Sequence, residues 1–118
     1  MNTIYGYWRC STDQQDQERQ IRSLKDAGCE SIVGDFITGT SNYGDRKELS
    51  KLLEEIQEND LLILDELNRL GRTMVTMLVE VNKLLEKGVK IKTLDNRLNT
   101  VTMPEEIIRL IVGVMGYA

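Results

Sequence analysis

The sequence predicts an α/β domain, a mostly parallel sheet with helices on both faces. Three observations carry this expectation. Strand-like and helix-like patterns alternate along the whole chain, in the order βαβαβαβ, which forces crossover connections. The third strand-like run, Leu-Leu-Ile-Leu at 61–64, is apolar without alternation, as a strand covered on both faces must be. No internal repeat or low-complexity segment interrupts the pattern.

The elements follow in order. Residues 3–9 are rich in β-branched and aromatic side chains and predict a first strand, which stops at the turn and cap residues Cys10, Ser11, Thr12 and Asp13. Thr12 with Gln15 has the form of a capping box and Gly28 supplies a stop, predicting a helix over 13–27. Its first half is filled with amides, Gln14, Gln15, Gln17 and Gln20, which suits a polar task rather than packing. A second strand is expected over 30–37, followed by a polar loop over 38–44. Asp45 and Glu48 open a helix striped by Leu49, Leu52, Leu53 and Ile56 and ended by Glu58, Asn59 and Asp60. After the strand at 61–64 the chain turns through 65–72 into a helix striped by Met74, Met77, Leu78, Val81, Leu84 and Leu85, which Gly88 caps. Residues 89–94 supply a fourth strand. The segment 102–118 has a capping-box start in Thr102 and Glu105 and Pro104 in its first turn, then hardly any polar face. It is expected to form a long apolar helix that needs a partner. It reaches the final residue without a glycine cap or basic last turn, so the native helix is expected to continue.

Composition removes several function classes. The 118 residues bury one core and make one domain. Fifteen Lys and Arg against nineteen Asp and Glu give a net charge of −4, which is not the footprint of a stand-alone nucleic-acid binder, so any DNA contact must be local or assisted. With no histidine, Ser-His-Asp, Cys-His and His-zinc chemistry are excluded. Two cysteines, Cys10 and Cys29, cannot build a zinc cage or a disulfide framework, and a reduced, cytoplasmic setting is the simpler reading. No basic leader and no apolar run of spanning length point to export or a membrane.

In an open parallel sheet, ligands gather beyond the carboxyl ends of the strands. Three segments lie there: 9–12 after the first strand, the loop 38–44 with Asp45 and Arg46 after the second, and 68–72 after the third. They bring Arg9, Arg46, Arg69 and Arg72 to one edge. Arginine's planar fork binds phosphate oxygens through paired bonds and stays charged, so the edge outlines a phosphate site. Helix N-termini after Thr12 and Asp45 would add positive dipole ends. Each arginine taken singly could instead form a surface ion pair.

Other α/β phosphate chemistries fail against the residues after the first strand. Neither G-x-x-x-x-G-K nor G-x-G-x-x-G occurs. A phosphatase built on Cys10 would need arginine at position 16, which is Asp16, and a phospho-receiver would need paired acids where Arg9 and Cys10 stand. What remains is serine. Cys10 reads as a small core residue beside it, with a reactive thiol as the alternative, and Tyr5 and Trp8 read as sheet packing.

The strings Y-G-Y-W-R-C-S-T-D-Q-Q, T-G-T, D-R-K and N-R-L-G-R, in this order and over essentially the whole chain, resemble the catalytic domain of serine site-specific recombinases, the resolvase/invertase family, and within it the DNA invertases. The resemblance implies that Ser11 attacks a DNA phosphodiester to form a 5′-phosphoseryl link, with Arg9, Arg46, Arg69 and Arg72 around the scissile phosphate. It implies Gln15 and Gln20 as active-site amides, and Tyr7, Asp35, Thr38 and Asn68 as supporting residues. Asn68 stands where the family usually carries Asp. No cofactor or metal is implied, because the link conserves the phosphodiester energy. The implied organisation is a catalytic domain over 1–101 and the start of a dimerisation helix over 102–118, used in a dimer and a synaptic tetramer, with the DNA-binding domain absent from this chain. No base for Ser11 is evident: Asp65 and Glu66 read equally well as solvated strand-end carboxylates. Two other readings stay open, a non-catalytic truncated recombinase that serves as a dimerisation module, and a small phosphate-binding α/β protein using the same edge.

Overall fold

A parallel sheet forms because each strand is followed by a helix that returns the chain to the same edge. In a computed structural model the described residues are 2–11, 14–37, 46–71 and 73–115, the last five by backbone alone. The elements are β1 (Ile4–Cys10), α1 (Gln14–Asp26), β2 (Ser31–Phe36), α2 (Lys47–Glu55), β3 (Leu61–Leu64), a short 3₁₀ turn (Leu67–Leu70), α3 (Met74–Glu86), β4 (Lys90–Thr93) and α4 (Glu105–Met115). The sheet order is β2-β1-β3-β4 and every pairing is parallel, with Tyr7 opposite Val33, Gly6 opposite Ile63 and Ile63 opposite Lys92.

Alternation along the strands divides the core in two. Tyr7, Leu62, Leu64 and Ile91 face one side, where Leu49, Leu52 and Ile56 of the α2 region and Val81, Leu84 and Leu85 of α3 cover them. Trp8, Cys10 and Ile63 face the other, beneath Leu24 of α1. Trp8 packs edge-on against Phe36, ring centroids 5.0 Å apart. A Cβ at Gly34 would fall 2.0 Å from the Trp8 ring, so the indole lies where only glycine leaves room. Tyr5 is half-buried against the core and Cys10 is buried, as expected.

Three expectations are corrected. The first concerns α3, whose apolar stripe is only half core: Val81, Leu84 and Leu85 are buried, but Met74 and Leu78 are exposed, together with Val75 and Val79. Length explains this, since 13 helical residues rise about 20 Å, whereas the four residues of β4 span about 13 Å. The N-terminal half of α3 overhangs the sheet.

The second is the long apolar helix over 102–118. The described helix is α4, 11 residues long. It begins after Pro104, whose carbonyl accepts from Ile107 and Ile108. Thr102 does not cap it, because its hydroxyl donates to the Asn99 carbonyl. Ile108 packs on the core while Ile107 and Leu110 are exposed, so α4 has two distinct sides. Residues 116–118 lie outside the described residues.

The third is the cap of α2. The helix starts at Lys47, and no side chain at its own N-cap position, Arg46, makes a capping bond. The cap comes from β2 instead: Asp35 accepts from the backbone N–H groups of Glu48 (3.0 Å) and Leu49 (3.1 Å). Asp45 lies outside the described residues, as do Thr12 with its expected capping box and the loop 38–44.

Candidate active site

The sheet order fixes where a site belongs. β1 and β3 are neighbours, yet the chain leaves β1 toward β2 on one side and β3 toward β4 on the other, so a crevice opens at their carboxyl ends. Ser11 is the first residue past β1, exposed and on a bend. The segment 65–71 follows β3 on the opposite lip.

β1 runs beyond its pairing with β3, whose last register pair is Gly6 with Ile63. Gln20, fully buried on α1, stands in for the missing strand. Its Oε1 accepts from the Arg9 N–H and its Nε2 donates to the Arg9 carbonyl, each at 3.2 Å. The backbone leading into Ser11 is thereby pinned, because both main-chain polar groups of the part-buried Arg9 are tied to one fully buried side chain. Nε2 also donates to Asp16. The amide expected at the active site is thus a backbone clamp. Gln15 is exposed in the first turn of α1.

Three of the four arginines expected at this edge, Arg9, Arg46 and Arg69, converge on the 3₁₀ turn. Arg9 donates from Nη2 to the Asn68 carbonyl at 2.9 Å, and Arg46, buried, donates from Nη1 to the Leu70 carbonyl at 2.6 Å. Arg69 belongs to the turn and grips Asp65 through two parallel bonds, Nε to Oδ1 at 2.8 Å and Nη2 to Oδ2 at 3.0 Å, with Glu66 at 3.4 Å. Asp65 holds the Arg69 guanidinium above its ordinary pKa, chiefly through that bond. The Asn68 side chain is exposed, and what it lends the cluster is its backbone carbonyl.

Behind this cluster, Tyr7 is fully buried and its hydroxyl donates to Asp35 at 2.7 Å. Burial and then the Asp35 bond raise its pKa, so it stays a donor. Asp35 therefore receives three donors and has a structural role, tying β1, β2 and α2 together. The dipole end expected at α2 is accordingly occupied by a carboxylate of this chain.

One carboxylate differs from the sequence reading. Asp65 is not solvated: its side chain is 9% exposed and ion-paired with Arg69. Asp16 pairs with Arg19 at 2.6 Å, which lowers the Asp16 pKa, and Arg19 also approaches Asp65 at 3.6 Å. Sequence reasoning missed Arg19 and the tie from Asp65 to Arg69, although i,i+3 and i,i+4 spacings of opposite charge signalled both. Thr38 and Arg72 lie outside the described residues.

Residues 4–117 match the family described as "Resolvase, N terminal domain". The chain belongs to this family. Among curated relatives, the serine recombinase gin of Escherichia phage Mu is 36% identical over 97 residues, covering 82% of this chain and 49% of the relative. The transposon Tn3 resolvase of Escherichia coli is 36% identical over 99 residues, 82% of this chain and 52% of the relative. The DNA-invertase of Escherichia phage P1 is 34% identical over 99 residues, 84% of this chain and 52% of the relative. The chain spans about half the length of these relatives. A crystal structure of a resolvase family site-specific recombinase from Streptococcus pneumoniae shares the fold, with a TM-score of 0.58 at 16% identity over 99% of this chain and 87% of the other. The α/β architecture read from the sequence is that of the resolvase N-terminal domain.

Proposed function

We propose that this resolvase N-terminal domain is the catalytic domain of a serine recombinase that cleaves and rejoins DNA through Ser11. The observation that carries the reading is that Ser11, exposed on a bend, directly follows β1 and lies two residues beyond Arg9, whose guanidinium bonds the same turn that Arg46 bonds and Arg69 belongs to. The Ser11 Oγ attacks phosphorus and gives up its proton. The bond from phosphorus to the 3′-oxygen breaks, and that oxygen takes a proton to leave as a hydroxyl. The phosphoseryl link then retains the phosphodiester for the reverse attack, without a cofactor. Tethering to carbonyls and to Asp65 orients the three guanidinium groups before DNA arrives, and preorganised donors stabilise a transition state without reorganisation at the moment of reaction. Arg72 and Thr38 join the same site by motif, with Gln15, Gln20, Tyr7, Asp35 and Asn68 in support. Self-association through 102–118, as a dimer and then a tetramer, brings two DNA sites together, and the reaction takes place in the cytoplasm where the DNA lies.

The test restores what this chain does not span. Fused to the remaining half of the phage Mu gin recombinase and incubated with supercoiled DNA carrying that recombinase's sites, the domain is expected to form a protein–DNA covalent band on a denaturing gel. The Ser11→Ala variant should form none. A folded, DNA-bound fusion that gives no band overturns the reading.

A further inference from the structure

The ion-pair chain around Asp65 has a specific geometry that deepens the reading above. Asp65 is the first residue after β3, at the end of a buried strand. Its carboxylate is fixed twice over, since Oδ1 accepts from the Glu66 backbone N–H at 2.8 Å and also from Arg69 Nε at 2.8 Å. Arg19 approaches Oδ2 at 3.6 Å, and Arg19 is itself held by Asp16 at 2.6 Å. Arg69 is gripped along its Nε–Nη2 edge, which puts Nη1 at the opposite edge, within the guanidinium plane. With side chains 16% and 9% exposed, Arg69 and Asp65 form the least solvated of the described ion pairs.

We propose that Asp65 is a positioning residue that fixes the Arg69 guanidinium, edge-on, so that its Nη1 side meets the scissile phosphate. This rests on the reading of the site as a serine recombinase centre. An unrestrained arginine spends about 2 kcal/mol of rotamer freedom on adopting one geometry, and a carboxylate anchored to a strand end removes that cost before the substrate binds. A lone anion beside a phosphate would repel it. Here Arg69 and Arg19 share the Asp65 charge, so the carboxylate orients without contributing its full negative field.

Two measurements test this. In the chain itself, the Arg69 Nε–H resonance should be slowly exchanging and dispersed in the unaltered protein, should collapse to the free-arginine position in Asp65→Asn, and should be retained in Asp65→Glu. In the fusion, Asp65→Asn should slow single-turnover phosphoseryl formation by about 100-fold, the scale of a misplacement near 1 Å at a reacting centre, with DNA affinity unchanged and Asp65→Glu recovering part of the rate. An unshifted Arg69 resonance in Asp65→Asn overturns the positioning role. So does an unchanged rate accompanied by lowered stability, which makes the pair a staple of the turn, and so does a faster rate, which makes Asp65 a latch. If the unaltered fusion forms no adduct while the resonance behaves as expected, the functional reading falls and the role toward phosphate falls with it.

Discussion

At the scale of single residues, the site is built less from groups that face outward than from groups that hold others still. Gln20 is the clearest case, an uncharged side chain with no solvent exposure that supplies both hydrogen-bonding partners of the Arg9 backbone where β3 gives out. Gln20→Met keeps the volume and removes both amide bonds to the part-buried Arg9 backbone. The expected cost is about 1–3 kcal/mol in urea unfolding, together with slower adduct formation in the fusion, because Ser11 lies two residues beyond the released backbone. A Gln20→Met protein with unaltered unfolding midpoint would show that the Arg9 backbone does not depend on this clamp. The string of glutamines was legible in the sequence as a polar feature, but its target was not, since a side-chain amide that substitutes for a strand can be recognised only once the strand pairing is known.

At the scale of elements, the 3₁₀ turn and α3 form one unit. Thr73 and Thr76 cap α3 reciprocally, the Thr73 hydroxyl accepting from the Thr76 N–H and the Thr76 hydroxyl from the Thr73 N–H. Gly71 lies against that cap, and a Cβ there would fall 2.6 Å from the Thr76 hydroxyl oxygen and 2.7 Å from the Met77 nitrogen. The second of these is helix backbone and cannot yield by a rotamer change. Gly71→Ala is therefore expected to push the turn off α3, costing about 1–3 kcal/mol and carrying with it Arg69 and the carbonyls that hold Arg9 and Arg46. Adduct formation should fall more than stability alone explains when assayed well below the unfolding midpoint, and a variant with unaltered stability and rate would show that the turn shifts freely. Element-level reading succeeded where a pattern is local. The strand Leu61–Leu64 is found at its expected bounds because burial on both faces leaves no polar residue inside it. It failed where length or distance decides: periodicity cannot tell that α3 outruns β4, and no local pattern reveals that Asp35, on another element, caps α2.

At the scale of the whole molecule, the helix overhang and the two-sided α4 leave apolar surface uncovered. Met74, Val75, Leu78 and Val79 on α3 and Ile107 and Leu110 on α4 are all exposed, and α3 and α4 pack against each other. Large apolar side chains exposed on two packed helices suit an interaction surface, and the proposed self-association through 102–118 gives them an occupant in a second copy. A two-fold dimer buries the same residue twice. Leu110, 61% exposed, is the sharpest probe. Burying a leucine is worth about 1.5–3 kcal/mol, and the loss counts once per copy, so Leu110→Lys should weaken dimerisation by roughly 100-fold or more. Sedimentation velocity over a concentration series reads this directly: the unaltered chain should pass from monomer to dimer, and the variant should remain monomeric across the same range with its circular dichroism unchanged. An unaltered chain that stays monomeric throughout, or a variant that dimerises equally well, would mean that the exposed face of α4 is not where two copies meet.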